Sequence, residues 1–202
     1  MPDAGSRPLP TSRATLSLSS RTQHQLRIIG GEWRSRRLKF PAVEGLRPTL
    51  DRVRETLFNW LQYEVEGARV LDAFSGSGAL GFEALSRGAK EVVFLEKNAK
   101  AAMQIRENLA TLNARNAQLW AGDALVWLQQ NPEPFDLVFL DPPFGQNLLQ
   151  PAIDSLRLLP GSWVYVEHET GLDLTWPKGW EEHRSKETKE FCFRLWRITG
   201  EE

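Results

Sequence analysis

Val70-Leu71-Asp72-Ala73-Phe74-Ser75-Gly76-Ser77-Gly78-Ala79-Leu80-Gly81 reads as a strand, a glycine-rich turn and the start of a helix. Gly76, Gly78 and Gly81 fit the spacing G-x-G-x-x-G. Glycines so placed let backbone approach a ligand and let the helix pack close to its strand. Glu96 closes the next apolar run, 20 residues after Gly76, where a carboxylate can accept both hydroxyls of a ribose. A strand–helix turn with no ligand is the plain alternative. Glycine spacing alone does not separate the two, but its combination with Glu96 favours a nucleoside.

From Arg69 onward the pattern alternates. Strands are expected at 69–73, 91–96, 117–121, 135–140 and 163–168, and helices at 79–87, 98–113, 124–130 and 147–158. Ala102, Ile105, Leu109 and Leu112 form the apolar face of the second of these helices, with Asn98 as its cap. Such alternation means βαβ units and a mostly parallel sheet covered on both faces, an α/β Rossmann-like fold. Residues 179–186 and 189–199 read differently, as a closing antiparallel hairpin.

Asp72 bears on which nucleoside is bound. It ends its strand four residues before Gly76, where a carboxylate would repel a pyrophosphate. It suits a ligand carrying an ammonium and a sulfonium, and S-adenosylmethionine carries both without a phosphate. Asp123, in Gly122-Asp123-Ala124, is placed to accept from an adenine amino group or to cap the following helix; the two roles are compatible.

Asp141-Pro142-Pro143-Phe144 follows the apolar run 135–140. In open α/β sheets, ligands sit past the carboxyl ends of the strands, where this tetrapeptide falls. It offers a carboxylate acceptor, two prolines that stiffen the backbone and remove N–H donors, and an aromatic face. Those parts can hold a flat base by its exocyclic amino group. A strand-ending Pro-Pro turn is the alternative.

The chain has 202 residues, 41% hydrophobic and 25% charged, which fits one domain or one domain with an appendage. No run approaches the roughly 18 apolar residues of a membrane span, so a soluble, cytoplasmic protein is expected. A lone cysteine, Cys192, excludes an internal disulfide and fits a reducing compartment. His24, His168 and His183 lack metal-ligand spacing, so no metal site is expected. The net charge of −1 hides an asymmetry: residues 1–60 hold 11 Lys+Arg and 5 Asp+Glu, and the remainder 14 and 21. A basic front on an acidic body suggests a polyanion partner, with chance clustering on a solvated surface as the alternative.

Residues 1–22 are Ser/Thr/Pro/Arg-rich and read as a flexible tail, with an organelle transit peptide as the lesser alternative. Residues 23–48 form a basic extension. In it two short β-rich runs flank Gly30-Gly31, suggesting a hairpin that offers Arg27, Arg34, Arg36, Arg37 and Lys39 for phosphate pairing and Trp33 for stacking. A helix then starts after Thr49, its expected N-cap. Leu50, Val53, Leu57, Trp60 and Leu61 make its apolar stripe, and Arg47, Arg52 and Arg54 lie at its front. Residues 49–202 form the remaining domain.

Taken together, these motifs resemble those of Rossmann-like, amino-directed S-adenosylmethionine methyltransferases. The stretches Arg27–Arg36 and Arg47–Leu61 are similar to the bacterial family that methylates N2 of one guanine in small-subunit (16S) ribosomal RNA, the RsmD family. The resemblance covers about residues 26–198. It implies Asp141, Pro142, Pro143 and Phe144 as the catalytic tetrapeptide. It also implies Asp72, Phe74, Gly76, Gly78, Glu96, Asp123 and Ala124 around S-adenosylmethionine, with no metal. The RNA-binding residues would be Arg27, Trp33, Arg34, Arg36, Arg37, Lys39, Arg47, Arg52 and Arg54. The implied partner is 16S ribosomal RNA within a small-subunit assembly particle, met by a monomer.

An adenine-N6 methyltransferase is the nearest rival, since the tetrapeptide serves either amine; the chain leaves no room for the target-recognition insertion usual in the DNA enzymes. A nicotinamide oxidoreductase is opposed by Asp72, and a non-catalytic RNA-binding module is the alternative of a different class. Cys192, between Phe191 and Phe193, reads as sheet packing rather than a thiolate nucleophile. His168 reads as a surface residue, with a pocket role as the alternative. Most of the eight tryptophans suggest no function.

Overall fold

The structure is a computed structural model that describes residues 23–42 and 51–200. Its elements are β1 (Gln23–Arg27), β2 (Arg37–Pro41), α1 (Asp51–Trp60), β3 (Arg69–Asp72), α2 (Ala79–Ser86), β4 (Glu91–Glu96), α3 (Ala99–Leu112), β5 (Ala117–Ala121), α4 (Ala124–Gln130), β6 (Leu137–Leu140), α5 (Leu149–Ser155), β7 (Trp163–Glu169), β8 (Trp180–Glu187) and β9 (Phe191–Ile198). The expected alternation is therefore present. α3 shows how local sequence sets an element. Asn98 accepts from the Lys100 and Ala101 N–H groups, and Asn113 ends the helix in the left-handed conformation. Ile105 and Leu112 point into the core while Met103 faces water.

Seven strands form one sheet in the order β5-β4-β3-β6-β7-β9-β8. β3 to β7 run parallel, and β9 lies antiparallel between β7 and β8. The chain fills the sheet outward from β3 through β4 to β5, then returns to add β6 on the other side of β3. That reversal opens a crevice beyond the carboxyl ends of β3 and β6. The core lies on both faces. One cluster joins α1, α2, α3 and the β1–β2 hairpin through Leu38, Leu57, Phe58, Phe82 and Ile105. The other joins α4 and α5 to the sheet through Leu128, Leu149 and Ile153. Trp196 belongs to the second cluster and Trp176 packs against it, their rings 4.3 Å apart, so part of the tryptophan surplus is core. Among the described residues no helix is long and apolar enough to cross a membrane.

The N-terminal hairpin departs from the expected form. β1 and β2 pair antiparallel, but residues 28–36 join them and Gly30-Gly31 is not their turn. The physical reason is a competing partner. The Ile29 and Gly30 N–H groups donate to the Glu83 carboxylate at 2.9 and 2.8 Å, and the Glu32 N–H donates to the Ser86 carbonyl at 2.7 Å. The Trp33 N–H donates to the Ser86 hydroxyl, which in turn donates to the Gly30 carbonyl. Gly31 has φ +75°, and a Cβ there would lie 1.8 Å from the Ser86 carbonyl oxygen. The loop is thus clasped to α2. Thr49 and Leu50, the expected cap and first stripe residue of α1, lie outside the described residues; Val53, Leu57 and Leu61 are buried as expected.

Glu83 is fully buried and is also held by Arg87. Removing it leaves two backbone donors and a guanidinium uncompensated. Glu83→Ala is expected to lower stability by about 3–5 kcal/mol in urea unfolding. The amides of Ile29 and Gly30 should then lose hydrogen-exchange protection. Unchanged protection would show that the clasp does not hold the hairpin.

Candidate active site

The crevice past β3 and β6 is a cleft of about 1190 Å³. Asp72, Phe74, Gly76, Glu96, Asp123, Ala124 and the whole tetrapeptide Asp141-Pro142-Pro143-Phe144 line it, from four different strand ends. Gly78 does not line it. It is buried in the left-handed conformation at the N-terminus of α2, where it shapes the turn. Gly81 acts through packing: a Cβ there would lie 2.2 Å from the Phe94 ring and 2.9 Å from an Asp72 carboxylate oxygen.

Asp72 is buried and accepts from the Gly81 N–H at 3.0 Å. Burial pushes its pKa up to about 7, the Gly81 N–H opposes that, and nearby Glu96 adds to it. Glu96 accepts from the Gly76 N–H at 2.7 Å and the Asn98 N–H at 2.6 Å. Burial raises its pKa too, against the pull of those two bonds. Each carboxylate oxygen has two lone-pair directions, so a carboxylate anchored in this way can still accept ribose hydroxyls.

Asp123 caps α4, accepting from the Leu125 N–H at 2.9 Å, and its other oxygen meets the Lys97 ammonium at 3.1 Å. The lysine bond holds its pKa below the usual carboxylate range. Asp141 directly follows β6 and Glu167 lies within β7, each one residue past the Leu140–Val166 pair, and both carboxyl groups act on the buried Tyr165 hydroxyl. Glu167 also lines the cleft. Nothing in its one-letter context marked it; the available signal was an acid at the carboxyl end of a strand next to β6.

Several sequence expectations require correction. Trp33 is only 9% exposed and packs in the core cluster with Leu38 and Phe40, so its ring is no stacking surface. Arg54 is 1% exposed; it donates to the Arg27 carbonyl at 2.9 Å and pairs with Asp51, so its charge serves the fold. Arg27, Arg34, Arg36, Arg37, Lys39 and Arg52 are exposed, and Arg47 lies outside the described residues. His168 is buried, not on the surface. Its Nε2 accepts from Arg194, which leaves the proton on Nδ1 for the Glu169 carbonyl; burial lowers its pKa. Cys192 is buried in the last strand, as expected for packing. Among the described residues, no group of three or more His, Cys, Asp or Glu is placed to hold a metal ion.

The strand order, the glycine loop leading into α2 and the acids at neighbouring strand ends define a Rossmann-like methyltransferase fold. The family model described as Conserved hypothetical protein 95 matches residues 26–197. "Ribosomal RNA small subunit methyltransferase D" of Escherichia coli strain K12 is 46% identical over 177 residues, covering 85% of this chain and 89% of the relative. The protein of the same name from Haemophilus influenzae is 46% identical over 180 residues, covering 85% and 93%. The solved structure of the Escherichia coli yhhF protein superposes with a TM-score of 0.81 at 43% identity, covering 88% of this chain and all of that one. This chain belongs to that family, the RsmD family.

Asp72 contributes a pH dependence to the stability of the ligand-free protein. Its pKa is raised in the folded state, from 3.8 to about 7. Its contribution to stability is therefore complete below the ordinary value, declines as pH rises above it, and is fully lost above about 7. Asp72→Asn keeps an acceptor for the Gly81 N–H but cannot ionise. The stability of wild type relative to Asp72→Asn is expected to fall between pH 4 and 7, by up to about 1.4 kcal/mol per unit, and then level off. Urea titrations across that range measure it; a difference independent of pH would contradict the assignment.

Proposed function

We propose that this chain transfers the methyl group of S-adenosylmethionine to the exocyclic N2 of one guanine in 16S ribosomal RNA, acting as a cytoplasmic monomer on a small-subunit assembly particle. The observation that carries this reading is the shared cleft. The glycine loop, the acids Asp72 and Glu96 at the ends of β3 and β4, and the tetrapeptide after β6 open into one space. The donor set also fits the methyl donor: Asp72 for the ammonium, Glu96 for the ribose, and Asp123 with the backbone at Ala124 for the adenine. Bound there, S-adenosylmethionine supplies a methyl group already activated on a sulfonium.

What remains for the protein is placement of a nitrogen. The guanine amino nitrogen is a poor nucleophile because its lone pair is delocalised into the ring. Asp141 accepts one of its N–H groups and the Pro142 carbonyl accepts the other, which favours a pyramidal nitrogen with its lone pair aimed at the methyl. Positive charge developing on nitrogen then meets a carboxylate in a partly dry site, worth a few kcal/mol. Phe144 is half-buried at the cleft and stacks on the base, contributing roughly 1–3 kcal/mol. Unstacking the nucleotide costs a few kcal/mol. Arg34, Arg36, Arg37 and Lys39 on the hairpin, with Arg52 beside the cleft-lining Val53, offset that by holding phosphates. Family membership and two curated relatives named as small-subunit ribosomal RNA methyltransferases support the substrate class.

Two outcomes check this reading. Asp141→Ala should reduce methyl transfer to RNA at least 1000-fold, about 4 kcal/mol, while calorimetry shows S-adenosylmethionine still binding; wild-type turnover would reject the role of Asp141. Replacing Arg34, Arg36 and Arg37 together by Ala should weaken RNA binding and lower the slope of log K against log salt by about 2–3. An unchanged slope would remove the hairpin from the interface.

A further inference from the structure

Glu167 is a titratable group that lines the cleft and has no part in the scheme above. It follows Val166 in β7, and Asp141 follows Leu140 in the parallel neighbour β6. The two residues therefore sit side by side at the carboxyl ends of strands spaced about 5 Å apart, and both act electrostatically on Tyr165. Glu167 is fixed from below. The hydroxyl of Tyr165, two residues earlier on the same face, donates to Glu167 Oε2 at 3.0 Å. Tyr165 is itself fully buried, and burial holds its phenol well above its ordinary pKa, so it remains a donor. The arrangement aims a second acceptor, held in place, at the edge of whatever base Asp141 engages.

Two adjacent acceptors make a selective surface. The Watson–Crick edge of guanine presents adjacent donors, N1–H and the N2 amino group. Adenine and cytosine present one amino group beside a ring nitrogen that accepts. A carboxylate facing that ring nitrogen would oppose lone pair to lone pair and leave a polar group unpaired in a half-buried site. We propose that Glu167 accepts the N1–H of the target base while Asp141 engages its exocyclic amine, making Glu167 the residue that selects guanine over other amino-bearing bases. This inference rests on the proposed function and adds the basis of its specificity. Burial raises the pKa of Glu167, and the hydrogen bond from the Tyr165 hydroxyl opposes that shift.

The test uses small-subunit particles reconstituted with guanine or 2-aminopurine at the nucleotide that the wild-type protein labels. 2-Aminopurine keeps the N2 amine but turns N1 into an acceptor. Wild type is expected to prefer guanine in kcat/KM by roughly tenfold to a hundredfold. Glu167→Gln can still accept from Tyr165 and offers an N–H to the 2-aminopurine N1. Its preference should fall to threefold or less or invert, with its Kd for S-adenosylmethionine within about twofold of wild type. A purely structural role for Glu167 would lower both substrates alike and leave the ratio unchanged, which would overturn the inference. So would equal wild-type use of the two bases, a result that needs no variant. Failure of wild type to methylate guanine at all would reject the proposed function itself, and the inference with it.

Discussion

The parallel pairing of β3 with β6 fixes where everything else can happen. Val70 lies opposite Leu137, Leu71 opposite Val138 and Asp72 opposite Phe139, all buried. With a side-chain period of two, a slip of one residue would turn these side chains to the wrong faces of the sheet. The register is therefore strongly specified. It brings the loop after Asp72 and the loop after Leu140 side by side, with no element between them. The glycine turn thus lies beside the tetrapeptide Asp141–Phe144 as a consequence of sheet order, and both line one cleft.

The electrostatics divide the molecule by task. The cleft is acidic, and the burial that forms it raises the pKa of Asp72, Glu96 and Glu167. Such a site disfavours phosphate and favours cationic or donor-rich ligands, which describes both the proposed methyl donor and the edge of guanine. Arg27, Arg34, Arg36, Arg37 and Lys39 lie elsewhere, exposed on the hairpin. That hairpin is not a loose appendage. Glu83 and Ser86 clasp it to α2, whose first turn follows the glycine loop. The surface proposed to hold RNA and the proposed cofactor loop thus share one short helix, which ties the position of phosphate contacts to the position of the cleft.

Much of this was legible in the sequence, for identifiable reasons. Parallel strands buried on both faces leave continuous apolar runs, so β3, β4, β6 and β7 stood out. Asn98 and Asp123 were readable as caps because a cap needs only local chemistry. Direction was harder to read. Trp33 and Arg54 have the residue types of an RNA surface, but whether a side chain points outward depends on tertiary packing: Trp33 fills the space between the hairpin and the domain, and Arg54 turns in towards the Arg27 carbonyl. The hairpin turn lies away from Gly30-Gly31 for a related reason. Glycine permits a turn but does not require one, and Gly31 is needed instead for close approach to Ser86. Glu167 is hard to read because its nearness to Asp141 depends on the pairing of β6 with β7, which no local pattern encodes.

The proposed function places a methyl donor and a guanine in one cleft at the carboxyl ends of β3, β6 and β7. Co-crystallisation of the full chain with S-adenosylhomocysteine and guanosine tests it most directly. The ribose is expected on Glu96, the amino-acid end beside Asp72, and the guanine amino group between Asp141 and the donor's sulphur. Either ligand lodged away from Asp141-Pro142-Pro143-Phe144, or the guanine entering by another edge, would contradict it.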